Sequence, residues 1–576
     1  MTTFHDWTTV ADAVRATTKR LEKSAALERY FPTLDDDALA VAARFFSGLV
    51  FPRHDMRTTQ VGGRAVFDAL IALSGLDEHA LHERAIAAGE LGDLARELFA
   101  DRPPSGRTLV EMAAEFAALA ATAGSTAKRA RVRELLASLG GAETQYAVKL
   151  LLGSGELRIG LKEAQVEEAL ARAFGRPLAA IRHAGLLRGD VGEVALLARH
   201  DRLAEARLSL FHPMGFMLAQ PLETAEEIVA ALPSPFAVED KYDGIRAQAH
   251  VERAADGTVR VALYSRTLDE ITRGYPEVVD ALSSLLAPRS SLAPSVARPS
   301  EEQGARRAEG TCSIILDGEL LAYDPAEPRR ALPFKALQRR LGRKAPDEAL
   351  RRETPVQLVV YDVLAWDGAL VLDEPYAARR ARLAALPWPE PVARLAPNAL
   401  AITADDVERA FDAARAAGNE GLIAKALESP YTPGRRGKLW IKLKKALATL
   451  DVVITGAERG HGRRAKVLSD YTFAVRASAD DPTLLNVGKA YHGLTDVEID
   501  ALSERLLGIT VQRFGRFHQV RPEVVLEVTF DVVQPSARHK AGYALRFPRI
   551  VRVRDDKPVE EIDTLGRVRE LAEGRM

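Results

Sequence analysis

Residues 235–250 read Pro235-Phe-Ala-Val-Glu-Asp-Lys-Tyr-Asp-Gly-Ile-Arg-Ala-Gln-Ala-His250. The segment Phe236 to Lys241 predicts a strand, and Tyr242-Asp243-Gly244 the turn that ends it. Successive strand side chains point to opposite faces, so Glu239 and Lys241 share one side while Val238 and Asp240 take the other. A carboxylate and an amine thus meet one space, with Arg246 just past the turn. A lysine held there attacks a phosphorus atom once it has lost its proton, and nearby cations or partial burial favour that loss. Alone, Lys-x-Asp-Gly is far more often a surface lysine at a strand end. Charged residues farther along the chain shift that balance.

At 576 residues the chain exceeds what one core can organise, which predicts three or four domains. Its 47% apolar and 28% charged residues are those of a soluble globular protein. The net charge of −1 neither announces nor excludes nucleic acid, because acidic surface elsewhere can offset a basic groove. A single cysteine, Cys312, excludes an internal disulfide framework and a four-cysteine zinc module, and fits a reducing cytoplasm. The start Met1-Thr-Thr-Phe-His-Asp-Trp7 has no basic-then-apolar signal pattern, and no run of about 18 apolar residues predicts a membrane span. A cytoplasmic protein with no membrane partner is expected.

Residues 1 to 205 carry apolar side chains at helical spacing, as in Leu39-Ala-Val-Ala-Ala-Arg-Phe-Phe46, and predict an all-α domain. Lys128-Arg-Ala-Arg-Val-Arg133 concentrates cations, and Gly153-Ser-Gly-Glu-Leu-Arg-Ile-Gly160 is a glycine-rich turn. Backbone amides and Arg158 at such a turn can hold a phosphate; a solvated helix face and a plain helix connection explain the same residues. From about 222 the texture turns to strands alternating with helices, so 206–446 predicts an α+β domain, with a polar surface insertion at 287–310. Within it, Cys312-Ser-Ile-Ile-Leu-Asp-Gly-Glu-Leu-Leu321 sets Asp317 and Glu319 on one face and Leu316 and Leu320 on the other. Pro355 to Leu364 is a mostly apolar strand interrupted, past Gln357 near its start, only by Tyr361 and Asp362. Glu420-Gly-Leu-Ile-Ala-Lys425 comes next, then Arg435-Arg-Gly-Lys-Leu-Trp-Ile-Lys-Leu-Lys444, where Trp440, Lys442 and Lys444 share a face. Two like charges on one strand face repel unless an anion lies between them, which points to a phosphate pocket. Residues 447–576 read as short strands with one helix near 495–507, the pattern of a small oligonucleotide-binding (OB) barrel. Arg459-Gly-His-Gly-Arg-Arg464 joins two of those strands as a hairpin tip or a DNA contact.

Taken in order, Lys-Tyr-Asp-Gly-Ile-Arg, Ser-Arg, Asp-Gly-Glu, Val-Tyr-Asp, Glu-Gly-Leu-Ile-Ala-Lys, Trp-Ile-Lys-Leu-Lys and Arg-Phe-Pro-Arg resemble the motif series of covalent nucleotidyltransferases. The match is closest to ATP-dependent DNA ligases of the bacterial and archaeal type. Each tripeptide alone is weak; their common order from 239 to 557 is not. The helical region resembles that family's DNA-binding domain around Gly155-Glu-Leu-Arg-Ile-Gly160 and Gly189-Asp-Val-Gly192.

The resemblance implies a helical DNA-binding domain, an adenylation core and an OB-fold barrel. It implies Lys241 as the nucleophile that takes AMP from ATP, Glu239 as the contact of the adenine amino group, and Tyr361 as its stacking partner. Phenylalanine is frequent at the latter position, and tyrosine leaves stacking intact. Arg246 and Arg266 would hold ribose and phosphate or the nick's 5′-phosphate, and Glu319 and Glu420 the ribose or Mg2+. Arg436, Lys442 and Lys444 would neutralise the α-phosphate, and Arg546 and Arg549 would orient the leaving pyrophosphate, with Asp556 and Lys557 close by. Arg158, Lys128 and Arg129 are the candidate DNA contacts. Lys241 is expected to be kept uncharged by surrounding cations. Adenylate would pass to the 5′-phosphate of a nick in double-stranded DNA and be displaced by the 3′-hydroxyl. The barrel would swing on a hinge near 445–450 between steps. A monomer that gathers on the nucleoid is expected. The rivals are an RNA ligase or capping enzyme, against which the large helical domain argues, and a non-catalytic DNA-binding scaffold. An NAD-dependent ligase would need four zinc-binding cysteines.

Overall fold

The computed structural model describes residues 2–52, 55, 57–153, 157–286, 311–343, 345–443, 449–460, 464 and 466–573. The expected insertion at 287–310, Lys444, and most of the expected hinge lie outside them. The chain separates into two compact units. The first comprises Met1–Gln60, Gly106–Thr122 and Leu150–Lys445, and the second Val61–Ser105, Ala123–Lys149 and Ala446–Met576. The helical amino-terminal region therefore contributes to both, while a boundary falls between 445 and 446.

In the first unit, helices Phe4–Ala16, Asp36–Phe46 and Leu109–Ala121 meet around Phe4, Trp7, Phe45, Phe46 and Phe116, all buried. Trp7 lies edge-on to Phe45, with ring centroids 5.8 Å apart. Thr3 and Thr108 close capping boxes with Asp6 and Glu111, which sets where two of these helices begin. The Gly189-Asp-Val-Gly192 segment proves to be a packing device. Buried Asp190 caps helix Val191–Arg199 and pairs with Arg44 at 2.6 Å, and Gly192 lets that helix press on the Ala40 carbonyl.

Two sheets build the core, with strands numbered along the chain. The five-stranded sheet holds β1 (Leu218–Leu222), β2 (Phe236–Lys241), β10 (Asn398–Ala401), β11 (Gly421–Ala426) and β12 (Arg436–Leu443), in the order β1-β12-β11-β2-β10. The seven-stranded sheet holds β3 (Ile245–Arg253), β4 (Val259–Ser265), β5 (Cys312–Asp324), β6 (Glu327–Ala331), β7 (Val356–Trp366), β8 (Ala369–Leu370) and β9 (Ala393–Leu395), with β4-β3-β5-β7-β8 as its spine. Each sheet has one apolar face on helices. Val238, Leu422, Ala424 and Ile441 pack on Ile228, Val407 and Phe411 of helices Ala225–Ala231 and Ala404–Ala416. Likewise Ala247, Leu316, Leu320 and Val360 pack on Val278 and Leu282 of helix Pro276–Leu285. Alternation then leaves Glu239, Lys241, Lys425, Trp440 and Lys442 on the free face of one sheet, and Arg246, Asp317 and Glu319 on that of the other.

A fully buried ion pair holds these faces in place. Arg379, on helix Tyr376–Ala384, donates to Asp362 of β7 at 2.8 and 3.0 Å and to the Ser429 carbonyl at 3.0 Å. Both side chains have no exposed surface.

In the second unit, β13 (Thr449–Arg459), β14 (Leu468–Arg476), β15 (Leu484–Ala490), β16 (Thr510–Phe514), β17 (Phe517–Val520), β18 (Val525–Thr529) and β21 (Arg549–Val553) form an antiparallel sheet. β19 (Val532–Pro535) and β20 (Tyr543–Arg546) pair as a separate two-stranded hairpin. Ile454, Phe473, Leu526 and Val528 share a core with Leu502 and Leu506 of helix Asp496–Gly508.

Removing one partner of a buried pair strands the other charge, which costs about 3–5 kcal/mol. Arg379→Met is therefore expected to lower the first unit's unfolding free energy by that order, read as a lower urea midpoint, while Arg409→Met, an exposed helix pair with Asp406, leaves the midpoint unmoved.

Candidate active site

Strand pairing decides which side chains meet at the mouth of the core. Lys241 ends β2 opposite Gly421, the first residue of β11, and the Glu420 amide donates to the Lys241 carbonyl at 2.8 Å. Glu420, one residue outside the ladder, turns its carboxylate onto the Lys241 ammonium. Deeper along the same face, Glu239 is buried between two donors. The Lys425 ammonium lies 2.6 Å from Oε2, and the Tyr376 hydroxyl donates to Oε1. Burial and the Glu239 charge hold that hydroxyl well above its usual range, so it remains a donor. Lys425 is itself enclosed by rings, its Nζ 4.2 Å from the centroid of Trp440, 4.7 Å from Tyr376 and 5.0 Å from Tyr361.

The facing sheet supplies a third pair. Arg246 donates from Nε and Nη2 to Asp317 at 3.1 and 2.7 Å, and from Nη1 to the Met217 carbonyl at 2.6 Å. The Tyr431 hydroxyl donates to the same Asp317 at 2.7 Å. Phe216 covers one side of the guanidinium, 4.7 Å from its centroid. Next to this pair Glu319, half-buried, is pushed up to about 8 by burial, against the opposing pull of Arg246 and Lys241. Tyr361 is half-buried on β7, with its hydroxyl 3.4 Å from the Gly318 carbonyl.

Glu239, Lys241, Arg246, Glu319, Tyr361, Glu420 and Lys442 thus belong to the polar faces of two adjoining sheets. Arg266, past the end of β4, and Arg436, at the start of β12, are exposed and make no ion pair among the described residues. One expectation is corrected here: among the described residues, the charge set against Lys241 is a carboxylate and not a shell of cations. Its nearest charge is the Glu420 carboxylate, and Lys425 and Arg246 are each matched to a carboxylate of their own, because an unpaired cation is costly to bury. A second concerns Arg246, most of whose donors are already engaged within the chain, so that it holds the pocket wall.

The remaining candidates lie elsewhere. Arg546, half-buried beside the Phe547 ring at 5.1 Å, and exposed Arg549, 3.4 Å from Asp531, belong to the second unit. There Lys557 pairs with Asp451 at 2.6 Å and Asp556 with Arg554 at 2.9 Å. Lys128 is buried, at 8% exposure, which withdraws it from any surface phosphate; its neighbour Arg129 is exposed and lies 3.2 Å from Asp68. Arg158 is exposed with φ +56°, and the turn it sits on is pinned by Lys23, which donates to the Ile159 carbonyl at 2.6 Å. Ser154, Gly155 and Glu156 of that turn lie outside the described residues.

Sequence reading missed the roles of Lys425, Tyr376, Asp317, Tyr431 and Phe216. Asp317 and Lys425 were at least marked by strand alternation, as charges on otherwise apolar strands. Nothing local marks Tyr376, which reaches Glu239 across 137 positions.

Comparison with known proteins agrees with this arrangement. The model of the ATP dependent DNA ligase domain matches residues 216–293 and 296–444, that of the DNA ligase N terminus 3–171, and that of the ATP dependent DNA ligase C terminal region 464–557. A "Probable DNA ligase" of Koribacter versatilis (strain Ellin345) is 43% identical over 97% of this chain and 95% of its own length. The chain belongs to the ATP-dependent DNA ligases. A DNA ligase of Methanoculleus marisnigri is 34% identical over 98% of this chain and 96% of that protein. The solved structure Pmar-Lig_Pre shares the fold, with TM-score 0.58 and 12% identity over 95% of this chain and 99% of that one. This ligase accordingly combines a helical amino-terminal region, a nucleotidyltransferase core and an OB-fold carboxy-terminal part. It joins DNA with ATP, through a lysyl-AMP intermediate and DNA adenylated at its 5′-phosphate.

Glu319 also ties stability to pH. Its folded value of about 8 exceeds the ordinary 4.5, so the native chain holds a proton that the unfolded chain releases between those values. The contribution is fully present below pH 4.5 and is lost as pH rises toward 8. Glu319→Gln should therefore gain stability relative to wild type between pH 5 and 8; urea midpoints at the two pH values that differ equally in both chains would refute this.

Proposed function

We propose that Lys241 is the amine that accepts adenylate, that Mg2+ assists it, and that the substrate is a nick in duplex DNA. The Lys241–Glu420 pair at the mouth of the adenylation core carries this reading. It supports a resting enzyme in which the amine is stored as an ammonium beside its counter-ion. When Glu420 turns to another cation, Lys241 loses the charge that holds its proton and becomes a nucleophile.

Glu319 and Glu420 would hold the magnesium. Among the described residues no group of three or more His, Cys, Asp or Glu is arranged as a cage. Two carboxylates suit a hard cation that keeps its waters and shares phosphate oxygens. Bound there, magnesium would neutralise the phosphates under attack. The remaining work falls to the chain itself. Glu239 orients the adenine, Tyr361 stacks on it, and Lys442, Arg436 and Arg266 meet charge that develops on the phosphates. Exposure of the last two suits them to that task, since neither has to leave a partner. Arg546 and Arg549 of the OB-fold part, and Arg129 and Arg158 of the helical region, would bind phosphates of pyrophosphate and duplex respectively. The ligase would act as a monomer.

Lys241→Ala is expected to abolish labelling by ATP yet retain measurable sealing of a nick that already carries 5′-adenylate. Labelling of the mutant at wild-type level, read by intact mass, would refute the assignment.

A further inference from the structure

We propose that Tyr376 is a positioning residue for base selection: with Lys425 it fixes the Glu239 carboxylate so that a free acceptor faces the 6-position of the bound purine. The inference rests on the reading that Glu239 meets the base. A carboxylate offers about four acceptor positions, and two are occupied here, one by the Tyr376 hydroxyl on Oε1 and one by the Lys425 ammonium at 2.6 Å from Oε2. Both donors are immobile. Tyr376 and Lys425 are each 1% exposed, and the ammonium is confined by Trp440 and Tyr361 as well as by the Tyr376 ring.

The two donors do different things. Lys425 supplies the counter-charge beside a carboxylate that is only 4% exposed. The Tyr376 hydroxyl supplies orientation, since the terminal torsion of a glutamate is otherwise broad. Held between donors, the carboxylate can only accept. An amino group at the purine 6-position then finds a partner, whereas a carbonyl oxygen meets a second acceptor in a water-poor site. No bond is made or broken by Tyr376, and the adenylation chemistry does not use it.

The test is labelling of the full-length ligase by ATP, by inosine triphosphate, which has a carbonyl where ATP has its amino group, and by 2′-deoxyATP. Tyr376→Phe keeps the ring and removes the hydroxyl. It is expected to lower the preference for ATP over inosine triphosphate about tenfold, the usual weight of a hydrogen bond to a charged group. The preference for ATP over 2′-deoxyATP should stay at the wild-type value, because the sugar is assigned to Arg246 and Glu319 and not to Glu239 or Tyr376. An unchanged base preference, both preferences falling together, or a chain that no longer folds would each overturn the proposal. Glu239→Gln is measured alongside. If it leaves base preference intact, the placement of Glu239 on the base fails; if it alone alters preference, only the role of Tyr376 fails.

Discussion

The pairing of Lys241 with Glu420 depends on one backbone hydrogen bond, from the Glu420 amide to the Lys241 carbonyl at 2.8 Å. That bond sets the register in which β2 ends and β11 begins. Slipping the ladder by one residue would send Lys241 to the helix-packed face and bring Asp240 to the cleft. Gly421 opposes Lys241 with φ +150°, and a side chain there would run into Phe411 of helix Ala404–Ala416.

The same logic extends inward as a graded arrangement of charge. The deepest cation, Lys425, is paired and roofed by rings; Arg246 is paired and half-buried; Lys241 is paired at the mouth. Beyond them Arg266 and Arg436 are solvated and unmatched by described carboxylates. Burial accounts for the gradient, because a cation removed from water needs a counter-charge and one at the surface does not. In the proposed reading, recognition of the base would fall where side chains are enclosed, and handling of phosphates where they are solvated. Glu319 fits the same picture from the opposite side. It is a carboxyl with no cation of its own, and burial drives it toward the neutral form.

Both sheets meet in the cleft through the faces that their helices do not cover. Arg379, which pairs with Asp362, reaches the Ser429 carbonyl 50 positions on, and Tyr431 reaches Asp317 across 114. Neither is an efficient way to gain stability compared with an apolar contact. Their effect is to hold strand ends and loops in one arrangement around the reacting groups.

Much of this was legible in the residues alone. Alternation along Phe236–Lys241 and Cys312–Leu321 put Glu239 with Lys241 and Asp317 with Glu319, because a strand has a period of two whatever it packs against. Helical spacing in the first 205 residues and short strands past 447 were equally local signals. What local pattern does not contain is which charge finds which. Tyr376 on Glu239, Lys425 between three rings, Asp317 on Arg246, and the burial of Lys128 within a run of cations all follow from packing among distant segments. The sequence by itself determined the strands, their polar faces and the place of the Lys241 amine on one of them, since these depend on neighbours along the chain. Only the tertiary structure decided that the amine rests against a carboxylate, because that depends on which strand ends lie side by side.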